Sequence, residues 1–110
     1  MILFIHFKRF KMLPNGPSKD NTNIDIPLEL DINEYCDNTM RTDSFINYKY
    51  KLKGISNHYG VLHGGHYTAN CLSIVDNKTW YNFDDSRISK FNDSNIDTSS
   101  SYILMYEMNE

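Results

Sequence analysis

Short runs in which apolar and polar residues alternate dominate this chain, and alternation is the period of a strand with one buried face. Ile2 to Phe10 begins as a continuous apolar run and then alternates, setting Phe4, His6 and Lys8 against Ile5, Phe7 and Arg9. Its β-branched and aromatic content predicts a strand, with His6 an ordinary hydrogen-bonded sheet histidine. Pro14-Asn15-Gly16-Pro17-Ser18 predicts a turn, and polar residues extend the loop to Asn23. The Asn-Gly pair would close a hairpin onto a strand from Ile24 to Leu30, which Pro27 places at an edge. Asp31 can cap one helical turn reaching Cys36, and Asp37 to Ser44 reads as a surface loop.

Phe45 to Ile55 predicts a longer strand, with Tyr48, Tyr50, Leu52 and Gly54 on one face. Lys49, Lys51 and Lys53 take the other, so the sheet is solvated on one side. Tyr67 to Val75, turned by Asp76-Asn77-Lys78 into Thr79 to Phe83, predicts a second hairpin. Ser86 to Ser101 is polar, with Ile88, Phe91 and Ile96 as anchors and room for a short helix. Tyr102 to Tyr106 is a closing apolar strand, and Glu107 to Glu110 should fray. The fold class is α+β, mainly antiparallel β-sheet, in one domain over residues 1–110.

Composition adds limits. The chain has 110 residues, 40% hydrophobic and 23% charged, which is ordinary globular material. A net charge of −3 and a pI near 5.7 argue against nucleic acid as a partner, and Lys8, Arg9 and Lys11 read as a solvated strand end. No apolar run approaches the ~20 residues of a membrane span. Cys36 and Cys71 form no Cys-x-x-Cys pair, so neither a disulfide scaffold nor a zinc site is expected, and a reducing compartment, cytoplasm or nucleus, follows. Met1 to Ile5 resembles a buried strand rather than a leader, so the chain is expected to be cut from, or to continue, a longer protein.

The chemistry concentrates between Tyr50 and Asp85. Gly64-Gly65 ahead of His66 lets the backbone bend or approach a substrate closely. His66, at the mouth of a strand, suits a general base if a carboxylate fixes its tautomer. Asp84 is the candidate partner. A hairpin symmetric about Asn77 would set Asp84 opposite Asn70, four residues from His66 and about 13 Å along the strand, so an off-centre turn, bulge or bend must close the gap. The alternative is a sheet histidine and an exposed Asp-Asp turn. Cys71 points away from His66 and reads as a buried small residue. Cys36 gives a Cys-His-Asp order but lacks the surroundings that lower a thiol pKa. His58, His63 and His66 are cleft-lining or exposed loop histidines in preference to a metal site.

Tyr50-x-Leu52-x-Gly54-Ile55, His58-x-Gly60-x4-Gly65-His66-Tyr67 and Trp80-x-x-Phe83-Asp84-Asp85 together resemble the C-terminal box of the ubiquitin-specific proteases, papain-like thiol enzymes. Leu3 to Phe10, ending Lys8-Arg9-Phe10, is similar to a strand of that family, as are Pro27 to Cys36 and the closing Tyr102 to Tyr106. The resemblance implies the β-rich half of a papain-like fold, with His66 as base, Asp84 as its orienter and Asp85 as an accessory carboxylate. It further implies that Tyr59 to Gly65 is a blocking loop and that Phe10, His58, Gly65 and Tyr67 line a channel for the ubiquitin tail. Ubiquitin and ubiquitinated proteins are the implied partners, along with the N-terminal half of the catalytic domain. No cofactor or metal is implied. The family's Gly-x-Thr-Cys-Tyr nucleophile box and its zinc-binding Cys-x-x-Cys pairs do not occur in these residues. A segment inactive by itself is therefore expected; the alternative is a catalytically dead ubiquitin-binding module.

Overall fold

The alternating runs pair side by side into one antiparallel sheet. The computed structural model describes residues 1–35 and 48–109. Among them the strands are β1 (Ile2–His6), β2 (Phe10–Leu13), β3 (Gly16–Lys19), β4 (Glu29–Asp31), β5 (Lys49–Tyr59), β6 (His66–Leu72), β7 (Trp80–Asp84), β8 (Arg87–Phe91) and β9 (Ser101–Met108). The main sheet runs β1-β9-β5-β6-β7-β8, with β4 also on β5, and β2-β3 forms a separate hairpin. The expected class, mainly antiparallel β, is what forms. Its helical part among the described residues is two 3₁₀ turns, Asn33–Tyr35 and Asp93–Asn95.

Strand β5 is central, and its sequence explains how one face becomes the core. Tyr50 and Leu52 are buried while Lys49 is exposed and Lys51 and Lys53 are half-buried, as the alternation predicts. A register irregularity between Leu52 and Gly54 then shifts the pattern by one residue. The inner face therefore continues through Ile55 and Asn57 instead of Gly54. Ile55 and Leu52 meet Leu104 and Tyr106 of β9, with Leu72, Trp80 and Ile26 completing the core. Residues 20–28 lie over this face without joining the sheet. Leu52 N–H donates to Leu28 O, and the Tyr106 hydroxyl donates to Pro27 O at 2.8 Å. Burial pushes that phenol's pKa up to about 12.

Several expectations need correction. The first run is not one strand: it stops at His6, and β2 restarts at Phe10. The break is set by Arg9, which is 2% exposed and not a solvated strand end. Its guanidinium donates to Ser101 O (2.8 Å), Asp20 O, Thr22 O and Thr98 O, drawing two backbone segments, 20–22 and 98–101, around one cation. The first hairpin is tighter than expected, because β3 begins at Gly16 and only Pro14-Asn15 separates the paired Leu13 and Gly16. Gly16 at φ 119° makes that connection possible. The expected strand from Ile24 to Leu30 shrinks to β4, after Pro27. Strand β6 ends at Leu72, leaving Ile74 and Val75 exposed. Within the polar stretch after Ser86, an extra edge strand, β8, forms. Cys36, the loop 37–44 and the start of the expected strand at Phe45 lie outside the described residues.

The outer face carries a groove of about 740 Å³ between Phe4, Gly54, Cys71, Ile74, Ile103 and Met105. Cys71 is half-buried on its wall, not fully buried, and burial raises its thiol pKa.

Candidate active site

Strand register decides whether His66 and Asp84 meet. In the structure Asn70 pairs with Asn82 and Ala69 with Phe83, so the hairpin centres one residue before Asn77. Continued outward, that register sets Asp84 opposite Thr68, two residues from His66 on the same face. Such a diagonal is within reach of a histidine and an aspartate. Nε2–H of His66 donates to Asp84 Oδ1 at 2.6 Å. The gap that a symmetric hairpin leaves is closed by an off-centre turn. Asp76 shapes that turn, accepting from the Lys78 and Thr79 amides.

An ionised carboxylate only accepts, so the Nε2 contact fixes the proton on that nitrogen and leaves Nδ1 as the free base. The hydrogen bond to Asp84 is the largest influence and raises the His66 pKa; desolvation opposes it, and the charges of Asp84 and Asp85 add smaller upward pushes. Both side chains are substantially exposed, at 49% and 41%.

Asp85 does not follow strand alternation to the opposite face. It lies just past β7 with φ 52°, a left-handed turn residue. The ligating atoms of His66, Asp84 and Asp85 consequently lie within 4.8 Å of one another. Among the described residues, this is the one such group of three. His63 is exposed in the turn, and His58 is buried.

His58 is 1% exposed, which corrects the reading of an exposed loop histidine. It is the next-to-last residue of β5, opposite Tyr67, and so faces away from the pair Tyr59 and His66. Its ring packs edge-on to Phe10 (5.2 Å) and Tyr67 (4.8 Å), and Tyr102 joins at 6.0 Å. Both ring nitrogens are buried without a hydrogen-bond partner among the described residues, and burial, followed by the charge of Lys19, lowers its pKa. The Lys19 ammonium donates to His58 O at 2.7 Å.

Gly65 is pressed against this ring. A Cβ there would lie 2.3 Å from His58 Nε2 and 2.6 Å from Tyr59 O. Gly65→Ala should therefore cost about 1–3 kcal/mol by overpacking. A denaturant melt of the variant checks this; an unchanged midpoint would show that the ring moves aside freely.

The candidate residues thus assemble as two groups at one end of the sheet. His66, Asp84 and Asp85 form a polar constellation, and Phe10, His58, Gly65 and Tyr67 a packed aromatic one behind it. Sequence reading missed Tyr102, Lys19 and Arg9. Tyr102 sits at the irregularity where β9 shifts register against Ser56 and Asn57, so simple alternation assigns it to the wrong face.

A family model described as ubiquitin carboxyl-terminal hydrolase matches residues 1–106. Ubiquitin carboxyl-terminal hydrolase 9 of Arabidopsis thaliana is 42% identical over 106 residues, covering 96% of this chain and 11% of the plant protein. Ubiquitin carboxyl-terminal hydrolase 2 of Gallus gallus is 37% identical over 108 residues, covering 97% of this chain and 29% of its own. The chain thus spans about a tenth of the length of the plant relative. Among solved structures, the SAGA Ubp8/Sgf11/Sus1/Sgf73 DUB module bound to ubiquitin aldehyde contains a chain that superposes with a TM-score of 0.84. The identity is 30%, covering 99% of this chain and 24% of that one.

Proposed function

Since this chain belongs to the ubiquitin carboxyl-terminal hydrolase family, we propose that it is the base-bearing part of a ubiquitin-specific cysteine protease. The observation that carries the reading is the His66–Asp84 hydrogen bond of 2.6 Å, already formed at the open ends of β6 and β7.

The thiol comes from a segment outside these residues, as the family's nucleophile box does. Nδ1 of His66 takes the thiol proton while Asp84 holds Nε2–H and stabilises the imidazolium. The thiolate attacks the carbonyl of ubiquitin's last glycine, and the imidazolium then protonates the departing lysine amine. Water, deprotonated by the same ring, frees the enzyme. Asp85 adds negative charge beside the ring as an accessory carboxylate.

Phe10, His58, Gly65 and Tyr67 form one wall of the channel for the glycine-ended tail, with Tyr59 to Gly65 as the loop beside it. Ubiquitin as partner is supported by the superposable module bound to ubiquitin aldehyde. The chemistry requires no cofactor, and its reduced thiol suits cytoplasm or nucleus.

The 110-residue chain by itself should release no fluorophore from a ubiquitin C-terminal reporter. Turnover by this chain that Cys36→Ser abolishes would put the nucleophile within it and overturn the division of labour.

A further inference from the structure

The inner face of β5, β6 and β7 carries a polar row inside an otherwise apolar core. Asn57 Nδ2 donates to Asn70 Oδ1 at 2.8 Å and to Thr68 Oγ1 at 3.2 Å, and Asn70 Nδ2 donates to Asn82 Oδ1 at 2.9 Å. Asn57 and Asn70 are 1% and 2% exposed. Asn57 Oδ1 is buried with no partner among the described residues, a cost that an apolar side chain of similar shape would not carry. Buried polar groups retained at a cost can serve to select one arrangement over another.

A competing arrangement exists for this hairpin. A slip of two residues keeps every side chain on its own face, so the division into core and solvent faces does not oppose it. It would turn the hairpin symmetrically about Asn77 and move Trp80 from Leu72 to Ile74, another apolar partner. It would also place Asn82 against Leu72 and bring Asp84 opposite Asn70, about 13 Å along the strand from His66. Only the observed register pairs amide with amide.

We infer that the buried ladder Asn57–Asn70–Asn82 selects the β6–β7 register that delivers Asp84 to His66, which makes these asparagines positioning residues for the dyad. The Asp76 turn biases the same register from the far end of the hairpin, whereas the ladder acts one pleat from the dyad. The consequence for catalysis rests on the proposed role of the dyad, but the register does not. Reading it needs neither ubiquitin nor a nucleophile, so failure of the ladder and failure of the catalytic reading are distinguishable.

The test is nuclear magnetic resonance of the 110-residue chain with Asn82→Leu and the near-isosteric Asn82→Asp, which keeps an acceptor oxygen for Asn70. The unsubstituted chain should show Cys71 in cross-strand contact with Tyr81, and a His66 Nε2–H signal protected by Asp84. Asn82→Leu should move the Cys71 contact toward Phe83, lose that signal and return the His66 titration toward ~6.5. Asn82→Asp should restore the Cys71–Tyr81 contact and the Nε2–H signal. Retention of both features in Asn82→Leu would overturn the inference. Loss of the whole fold in both variants would overturn it as well, by making the ladder a stability element and not a selector of register.

Discussion

Asp84→Ala, in an enzyme joined from this chain and a family segment bearing the nucleophile, will lower kcat by about 10²-fold or more while ubiquitin affinity stays nearly unchanged. The carboxylate is 2.6 Å from Nε2, so its loss frees the ring to adopt the wrong tautomer and leaves the imidazolium without its counter-charge. A loss of that size is about 3 kcal/mol of barrier. Asp85→Ala will cost less. That side chain reaches the group only through the left-handed turn at φ 52° and acts on His66 through charge, with no hydrogen bond to the ring among the described contacts. Steady-state kinetics of both single variants and the double variant separate the roles. A larger loss for Asp85→Ala would reverse the assignment.

Replacing Arg9 should be the most damaging single change to stability. Its guanidinium satisfies carbonyls of Asp20, Thr22, Thr98 and Ser101, holding the 20–22 segment and the start of β9 against β2. Arg9→Met keeps much of the apolar stem but abandons those acceptors, of which Ser101 O lies in a buried contact. The expected cost is about 3–5 kcal/mol in a denaturant melt. Arg9→Lys should recover little, because one ammonium cannot serve carbonyls spread around a planar fork. A shift below about 1 kcal/mol for Arg9→Met would mean that water replaces the guanidinium at little cost.

The sheet was legible where alternation is clean. The lysine face of β5, the hairpin of β6 and β7 and the closing strand β9 all follow from two-residue periodicity and turn residues. It was illegible where one extra residue resets that period. The irregularity at Leu52/Gly54 moves Ile55 to the inner face, and the one at Ser56/Asn57 sends Tyr102 toward His58. Strand β8 escaped notice because its residues are mostly exposed at an edge, where burial imposes little pattern. Arg9 was misread for a related reason: a string of basic residues looks solvated, and the four carbonyls that bury this one lie 11 to 92 positions away.

For the candidate site, the spacing of His66 and Asp84 left their meeting open, since it depends on where a hairpin centres. A one-residue displacement of the turn decides it. The packing of Gly65 on His58 was equally hidden, because a glycine's sequence context does not say whether it serves backbone freedom or close approach. Here the 2.3 Å that a Cβ would leave to Nε2 points to close approach.

The central claim is that His66 is the base that activates a thiol supplied from elsewhere. The direct measurement is release of fluorophore from a ubiquitin C-terminal reporter by the joined enzyme, with His66 and with His66→Ala, at matched ubiquitin binding. The account predicts turnover in the first and a loss of about 10³-fold or more in the second. Turnover that survives His66→Ala within a few-fold would contradict it.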